Sequence, residues 1–86
     1  MARTTYSSVL SELLKLLERY APGIHITEDS QYGADLALPS VEVMDLVNEI
    51  EDHFEVTIPL NDIPSLNTVG MTARYLTDLL GGDKTS

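Results

Sequence analysis

The 86-residue sequence contains no cysteine and no tryptophan, and only five of its residues are lysine or arginine. Without cysteine there can be no disulfide, no thiolate nucleophile and no cysteine-based metal site. Thiol chemistry would therefore require a group attached to the chain. Long apolar runs that could form a signal peptide or a membrane span are also missing. We expect one domain over 1–86, ordered over about 7–81, that is cytoplasmic and, by default, monomeric.

The formal net charge of the chain is −9, and neither lysine nor arginine occurs between Tyr20 and Ala73. An acidic surface repels nucleic-acid phosphates and anionic lipid, and it attracts basic patches on other proteins. We therefore expect protein partners and no nucleic acid, although on charge alone simple solubility is the favoured explanation of the acidic surface. That window contains ten acids: Glu28, Asp29, Asp35, Glu42, Asp45, Glu49, Glu51, Asp52, Glu55 and Asp62.

Apolar residues recur at helical spacing in three segments, and no alternating pattern is long enough to indicate a sheet. Serine or threonine precedes each segment and can cap a helix, and proline or glycine follows each one. The predicted elements are a helix from Ser7 or Ser8 to Tyr20, a helix over about 41–56, a helical turn over 60–63 cut by Pro64, and a last helix from Thr68 to Gly81-Gly82.

A long connection over 24–39 separates the first two predicted helices. Loops of this length without their own helices or strands are uncommon in compact domains unless they are functional. We expect Ile24 and Ile26 to anchor its beginning to the core, and Leu36 and Leu38 to anchor its end.

Ser40 follows this loop and precedes an amphipathic acidic helix. Its side chain could cap the helix by accepting a hydrogen bond from a first-turn N–H. It could also carry a phosphate group, because a helix N-terminus presents unpaired N–H groups and the positive end of a dipole. Pro39 disfavours a helical conformation at Leu38, so the helix should begin at or just after Ser40.

The pattern D-L-x-x-x-S-V and the segments that follow it resemble the acyl carrier proteins. The matching pieces are Asp35-Leu36, Ser40-Val41, the Phe54–Pro59 segment and Thr68-Val69. The resemblance implies an all-α fold, a small four-helix bundle of three longer helices and one short helix with a long loop between the first two. It also implies that a phosphopantetheinyl transferase attaches 4'-phosphopantetheine from coenzyme A to Ser40, and that this arm carries an acyl group as a thioester.

Two positions depart from the pattern of that family. Pro39 stands where the family usually has an aspartate that is thought to help the transferase, and Ala37 stands where a glycine is common. The departure at Pro39 leaves open which transferase modifies Ser40, and it indicates a specialised carrier rather than the general carrier of fatty acid synthesis, whereas the one at Ala37 is smaller.

Four acids of the second predicted helix form a stripe on one face, apart from its apolar face. The Asp45–Glu49 pair at i,i+4 costs a few tenths of a kcal/mol, and no base lies nearby to offset it. In the resembled family the corresponding face docks onto basic patches of partner enzymes. The residues assigned to partner recognition are Glu42, Asp45, Glu49 and Asp52. Met44 could border an acyl-binding cavity, although a core position is the better expectation.

Intrinsic catalysis is not expected from this sequence. Ser40 and His53 would lie about 20 Å apart along one helix, too far for a Ser-His pair. Two scattered histidines do not make a metal site, and neither EF-hand spacing nor a glycine-rich phosphate loop is present.

Three interpretations remain open. The chain is a carrier modified at Ser40, or an unmodified carrier-like module that only binds protein partners, or an unrelated acidic helical protein with an accidental match. The number of matching positions makes the third the weakest. The cargo stays open among fatty acyl, hydroxyacyl, aminoacyl and polyketide groups.

Overall fold

The computed structural model describes residues 4–81 of the chain. Three α-helices are present, α1 (Tyr6–Glu18), α2 (Ser40–Phe54) and α3 (Val69–Leu79), and a short 3₁₀ helix (Leu60–Ser65) precedes α3. The predicted all-α class, with three longer helices, one short helix and a long loop after the first, is confirmed. The expected loose tail after Gly81 lies outside the described residues.

Helix α1 begins earlier than predicted, because Thr5 rather than Ser7 or Ser8 caps it. The Thr5 hydroxyl accepts a hydrogen bond from the Ser8 N–H (3.2 Å), and the Ser8 hydroxyl accepts one from the Thr5 N–H (3.1 Å). This reciprocal capping box fixes Thr5 and Tyr6, which lie before the range expected to be ordered, whereas residues 1–3 lie outside the described residues. The helix also ends earlier than predicted, at Glu18 with Arg19 as its C-cap.

The last helix begins as predicted, since the Thr68 hydroxyl accepts a hydrogen bond from the Met71 N–H (3.2 Å). The expectation that Pro64 cuts the preceding turn is wrong, because the 3₁₀ helix continues through it. Amide groups on both sides of the proline find acceptors there: Asp62 N–H donates to Pro59 O and Leu66 N–H donates to Ile63 O, each at 3.0 Å.

Helix α2 ends at Phe54, two residues before the predicted end. Glu55 adopts a left-handed conformation (φ 57°) that stops the helix, and the Glu51 carboxylate then accepts the Ile58 N–H at 2.8 Å. The Glu51 side chain therefore makes an internal hydrogen bond to the backbone that follows α2.

The core lies between the three α-helices, with α1 packed mainly against α3 and more lightly against α2. Side chains from the loop complete it, including Leu36 and Leu38 as predicted, and also Tyr32. Ile24 is 43% exposed, so the expectation that it anchors the loop is wrong, whereas Ile26 is partly buried against the core. The buried apolar residues of the helices are Val9, Leu13, Leu16, Leu17, Leu46, Val47, Ile50, Val69, Ala73 and Leu76.

The long loop also completes the start of α3. The Val69 N–H donates to Ser30 O (3.0 Å) and the Gly70 N–H donates to Glu28 O (2.7 Å). These carbonyl groups satisfy first-turn amides that have no acceptor within the helix. The loop is therefore held in place by α3 as well as by its own buried side chains.

Candidate functional site

Ser40 is the first residue of α2, and its side chain is exposed. The N-cap position belongs to Pro39, which offers no side-chain cap. The prediction that Ser40 could cap the helix is therefore wrong, because a residue that is already helical does not aim its hydroxyl back at the first-turn amides. Within residues 4–81 the Ser40 hydroxyl makes no hydrogen bond, so it is accessible to an incoming group.

The turn before Ser40 is fixed by the aspartate of the D-L pair. Asp35 accepts the Gln31 N–H with its carboxylate (2.7 Å) and donates its own N–H to Gln31 O (2.9 Å). Leu36 then enters the core at 3% exposure. These contacts give the Asp-Leu pair of the motif a structural function: it holds the loop that delivers the serine.

Ala37 completes this turn with a left-handed backbone (φ 54°). An alanine in that region costs roughly 1–2 kcal/mol, which explains why glycine suits the position. The next residue holds Ala37 in this conformation, because Leu38 is buried and its N–H donates to Tyr32 O (3.0 Å). Pro39 then leads directly into α2.

The start of α2 has the donors that a phosphate group requires. The Pro39 carbonyl accepts the N–H groups of Glu42 (2.9 Å) and Val43 (3.0 Å). The amides of Ser40 and Val41 precede any acceptor within the helix, and they lie at the positive end of its dipole. A phosphate esterified to the Ser40 hydroxyl fits this site, because both amides can be satisfied by its oxygens.

The acidic stripe follows Ser40 along α2. Glu42, Asp45 and Asp52 are exposed and Glu49 is half-buried. Only Asp45 has an internal partner, the Tyr20 hydroxyl of the loop after α1, which donates to its carboxylate at 2.9 Å. Partial burial and the Asp45 carboxylate raise the pKa of Tyr20 to about 12, so this hydroxyl remains a donor at neutral pH.

Acids outside the stripe are mostly committed to internal contacts. Glu12 pairs with His53 (3.0 Å), Glu28 accepts from the Tyr6 hydroxyl (2.5 Å), and Asp62 accepts from the Tyr75 hydroxyl (2.6 Å). By contrast, the carboxylates of Glu42, Glu49 and Asp52 have no hydrogen bond or ion pair with any other residue in 4–81. The stripe thus places three available carboxylates on the helix that begins with Ser40.

Exposed apolar side chains lie beside Ser40 on the same helix. Val41 is 75% exposed and Met44 is 40% exposed. The expectation that Met44 is a core residue is wrong, and Met44 does not line the interior cavity described next, because the apolar face of α2 is supplied by Val43, Leu46 and Val47 instead.

A small apolar cavity of about 30 Å³ lies between α2, the 3₁₀ helix and α3. A surface groove of about 600 Å³ adjoins it and runs past the loop over 31–34. Four residues line both spaces, namely Tyr32, Val43, Ile63 and Leu66. Val43 lies one turn from Ser40 on α2, so the groove begins close to the serine.

Catalytic groups do not meet around Ser40. His53 lies at the other end of α2, about 20 Å away along the axis, and its ring contacts Glu12 and Phe54. Among residues 4–81 no three His, Asp or Glu side chains are grouped as metal ligands. The same range contains no helix with both the length and the apolar character needed to cross a membrane.

Comparison with known proteins agrees with this geometry. The chain matches the family described as phosphopantetheine attachment site over residues 7–76. A probable acyl carrier protein of Caulobacter vibrioides (strain NA1000 / CB15N) is 34% identical over 56 residues, which cover 65% of either chain and so just under two thirds of that relative. The structure of an acyl carrier protein from Enterococcus faecalis, described for its high thermal stability, superposes with a TM-score of 0.74 at 27% identity, covering 87% of this chain and 98% of that one.

The family match and the helical fold thus identify a small phosphopantetheine-binding carrier domain. The chain belongs to the acyl carrier protein family, whose domain carries covalently attached 4'-phosphopantetheine. The expectations that the chain is not an enzyme and that its cofactor is phosphopantetheine are confirmed by this membership.

Proposed function

We propose that Ser40 carries the 4'-phosphopantetheine arm and that the protein shuttles an acyl intermediate between partner enzymes. The observation that carries the proposal is the exposed, unbonded Ser40 hydroxyl at the start of α2. In the attachment step the Ser40 oxygen forms a bond to phosphorus, the pyrophosphate bond of coenzyme A breaks, and adenosine 3',5'-bisphosphate leaves. The thiol of the arm then holds the acyl group as a thioester.

The experiment that tests this proposal is intact mass spectrometry after incubation with coenzyme A, Mg²⁺ and a broad-specificity phosphopantetheinyl transferase. We expect a mass gain of one phosphopantetheine, located on the peptide that contains Ser40. A chain that stays unmodified with several transferases would favour the alternative, a carrier-like module that only binds protein partners.

Partner enzymes with basic docking patches fit the acidic stripe. Three of its four carboxylates make no hydrogen bond or ion pair with any residue in 4–81, and Val41 and Met44 add apolar surface beside Ser40. Attraction between such charges mainly accelerates and orients encounter, and it allows fast release. A shuttle that leaves each enzyme after one transfer requires this behaviour, which supports docking through Glu42, Asp45, Glu49 and Asp52.

Reversing two unpartnered acids should slow transfer without disturbing the fold. For the double variant Glu42→Lys, Asp52→Lys we expect the transferase reaction at low salt to fall by about tenfold in kcat/KM, because steering charges are lost. The difference should shrink at high salt, since screening shortens the range of these interactions. Initial rates at several salt concentrations measure both effects.

The matched control is Glu18→Lys, Asp29→Lys, which makes the same change in net charge on exposed residues outside α2. We expect that control to react at nearly the wild-type rate. If both double variants slow the reaction equally, net charge rather than the stripe governs docking.

Pro39 offers a test of transferase preference. We expect Pro39→Asp to be modified faster by a general transferase, since aspartate is usual there in the family. An aspartate N-cap would also add at most about 1 kcal/mol to the free energy of unfolding. Pro39→Ala removes the proline without supplying a carboxylate, so equal rates for the two variants would show that the carboxylate is unimportant.

A further inference from the structure

The interior cavity is too small for a long aliphatic chain. Its volume is about 30 Å³, whereas an engineered cavity of about 150 Å³ is needed to hold one benzene molecule. The interior therefore has room for about one or two heavy atoms. Most of an acyl group carried by the arm would have to lie in the adjoining open groove of about 600 Å³.

Two residues that line this cavity, Tyr32 and Thr72, have buried hydroxyl groups that are hydrogen-bonded to each other. The Tyr32 hydroxyl donates to Thr72 Oγ1 at 2.6 Å, and Thr72 Oγ1 donates to the Thr68 carbonyl at 3.1 Å. Tyr32 and Thr72 both line the cavity, and Tyr32 also lines the groove. Tyr32 therefore borders both spaces, and its hydrogen-bond partner Thr72 borders the cavity.

The direction of these hydrogen bonds is fixed by their last acceptor. A carbonyl cannot donate, so Thr72 must use its single proton on Thr68, and Tyr32 must then use its own proton on Thr72. Burial raises the pKa of Tyr32 to about 12, so the phenol keeps that proton at neutral pH. The Tyr32 oxygen is left with acceptor capacity and no proton to give.

We propose, on the basis of the carrier function above, that the preferred cargo is a short acyl group bearing a hydroxyl, which donates a hydrogen bond to the Tyr32 oxygen. A saturated chain offers no partner for that oxygen. A ketone would place its lone pairs against those of Tyr32. The hydroxyl pair therefore discriminates hydroxyacyl from both saturated and ketoacyl groups of equal length.

The test uses the full chain loaded from acyl-coenzyme A by a transferase. The cargo series is hexanoyl, 3-hydroxyhexanoyl, 5-hydroxyhexanoyl and the two corresponding ketones. Thioester cleavage by hydroxylamine measures how well the cargo is held against the protein. We expect at least one hydroxyacyl form to be cleaved about threefold to tenfold more slowly than hexanoyl and the matching ketone, the effect of one net hydrogen bond.

Tyr32→Phe retains the ring but removes the acceptor, so it should abolish the difference between hydroxyacyl and hexanoyl forms. The cleavage rates of the hydroxyacyl and hexanoyl forms are compared within the same variant. A general loss of stability changes both rates and therefore cancels from their ratio. Tyr75→Phe is the matched control, because it removes a hydroxyl that bonds Asp62 and lies outside this cavity. That control should keep the wild-type ratio.

Intact mass separates failure of this inference from failure of the carrier function. A chain that gains no acyl-phosphopantetheine at Ser40 overturns the carrier function and the cargo preference together. A fully loaded chain with equal cleavage rates for every cargo overturns the cargo preference alone. Protection of hydroxyacyl forms that persists in Tyr32→Phe overturns the assignment to the Tyr32 oxygen.

Discussion

Replacing Ser40 by alanine should abolish attachment of phosphopantetheine while leaving stability almost unchanged. The attachment oxygen is lost entirely, so we expect no mass gain even with excess transferase. The Ser40 side chain is exposed and makes no bond within residues 4–81. We therefore expect a change within about 0.5 kcal/mol in the free energy of unfolding, measured in urea.

The stability result separates two functions of the serine. A capping serine would lose about 1 kcal/mol on replacement by alanine, and such a loss would contradict the geometry at Pro39 and Ser40. Ser7→Ala is the matched control, because Ser7 is also an exposed serine in the first turn of a helix. It should gain the arm at the wild-type rate. Mass gain in Ser40→Ala would place the attachment site elsewhere.

Gly70→Ala should destabilise the protein, because the added methyl group has no room at the contact between the loop and α3. A Cβ atom at Gly70 would lie 2.9 Å from the Glu28 carbonyl oxygen and 3.1 Å from the Tyr6 hydroxyl. The obstructing oxygen also accepts the Gly70 N–H, so moving it away weakens the contact between the loop and α3. Overpacking costs about 1–3 kcal/mol and alanine returns about 1 kcal/mol through helix propensity, so we expect a net loss of about 1 kcal/mol in the free energy of unfolding.

Gly33→Ala provides the control for this prediction. A Cβ atom there meets nothing within 4 Å, so its free energy of unfolding should stay within about 0.5 kcal/mol of wild type. Urea unfolding of the two variants side by side measures the difference. Equal stabilities would mean that the loop over 28–30 can retreat from α3 without cost.

The helices were predictable because they depend on local spacing. Apolar residues at i, i+4 and i+7 identified the buried faces of α1, α2 and α3, and Thr68 was recognised as a cap from its position alone. The errors lie at helix ends. Thr5 rather than Ser7 or Ser8 caps α1, and Glu55 stops α2 through a left-handed conformation that nothing in its residue type requires.

The site was partly predictable for a similar reason. The motif identified Ser40 as the attachment candidate, and helical periodicity placed Glu42, Asp45, Glu49 and Asp52 on one face. Periodicity did not show that Asp45 is bonded to Tyr20 while the other three acids have no partner within 4–81. It also suggested a core position for Met44, which the structure places at the surface.

The sequence by itself determined the fold class, the family and the candidate serine, because each depends on residue types at fixed spacing along the chain. Only the tertiary structure decided which groups from distant segments meet. Glu28 meets the start of α3, and Tyr32 bonds to Thr72 across forty residues. Such contacts depend on how the long loop folds back over the helices, and neither helical periodicity nor a local motif specifies that path.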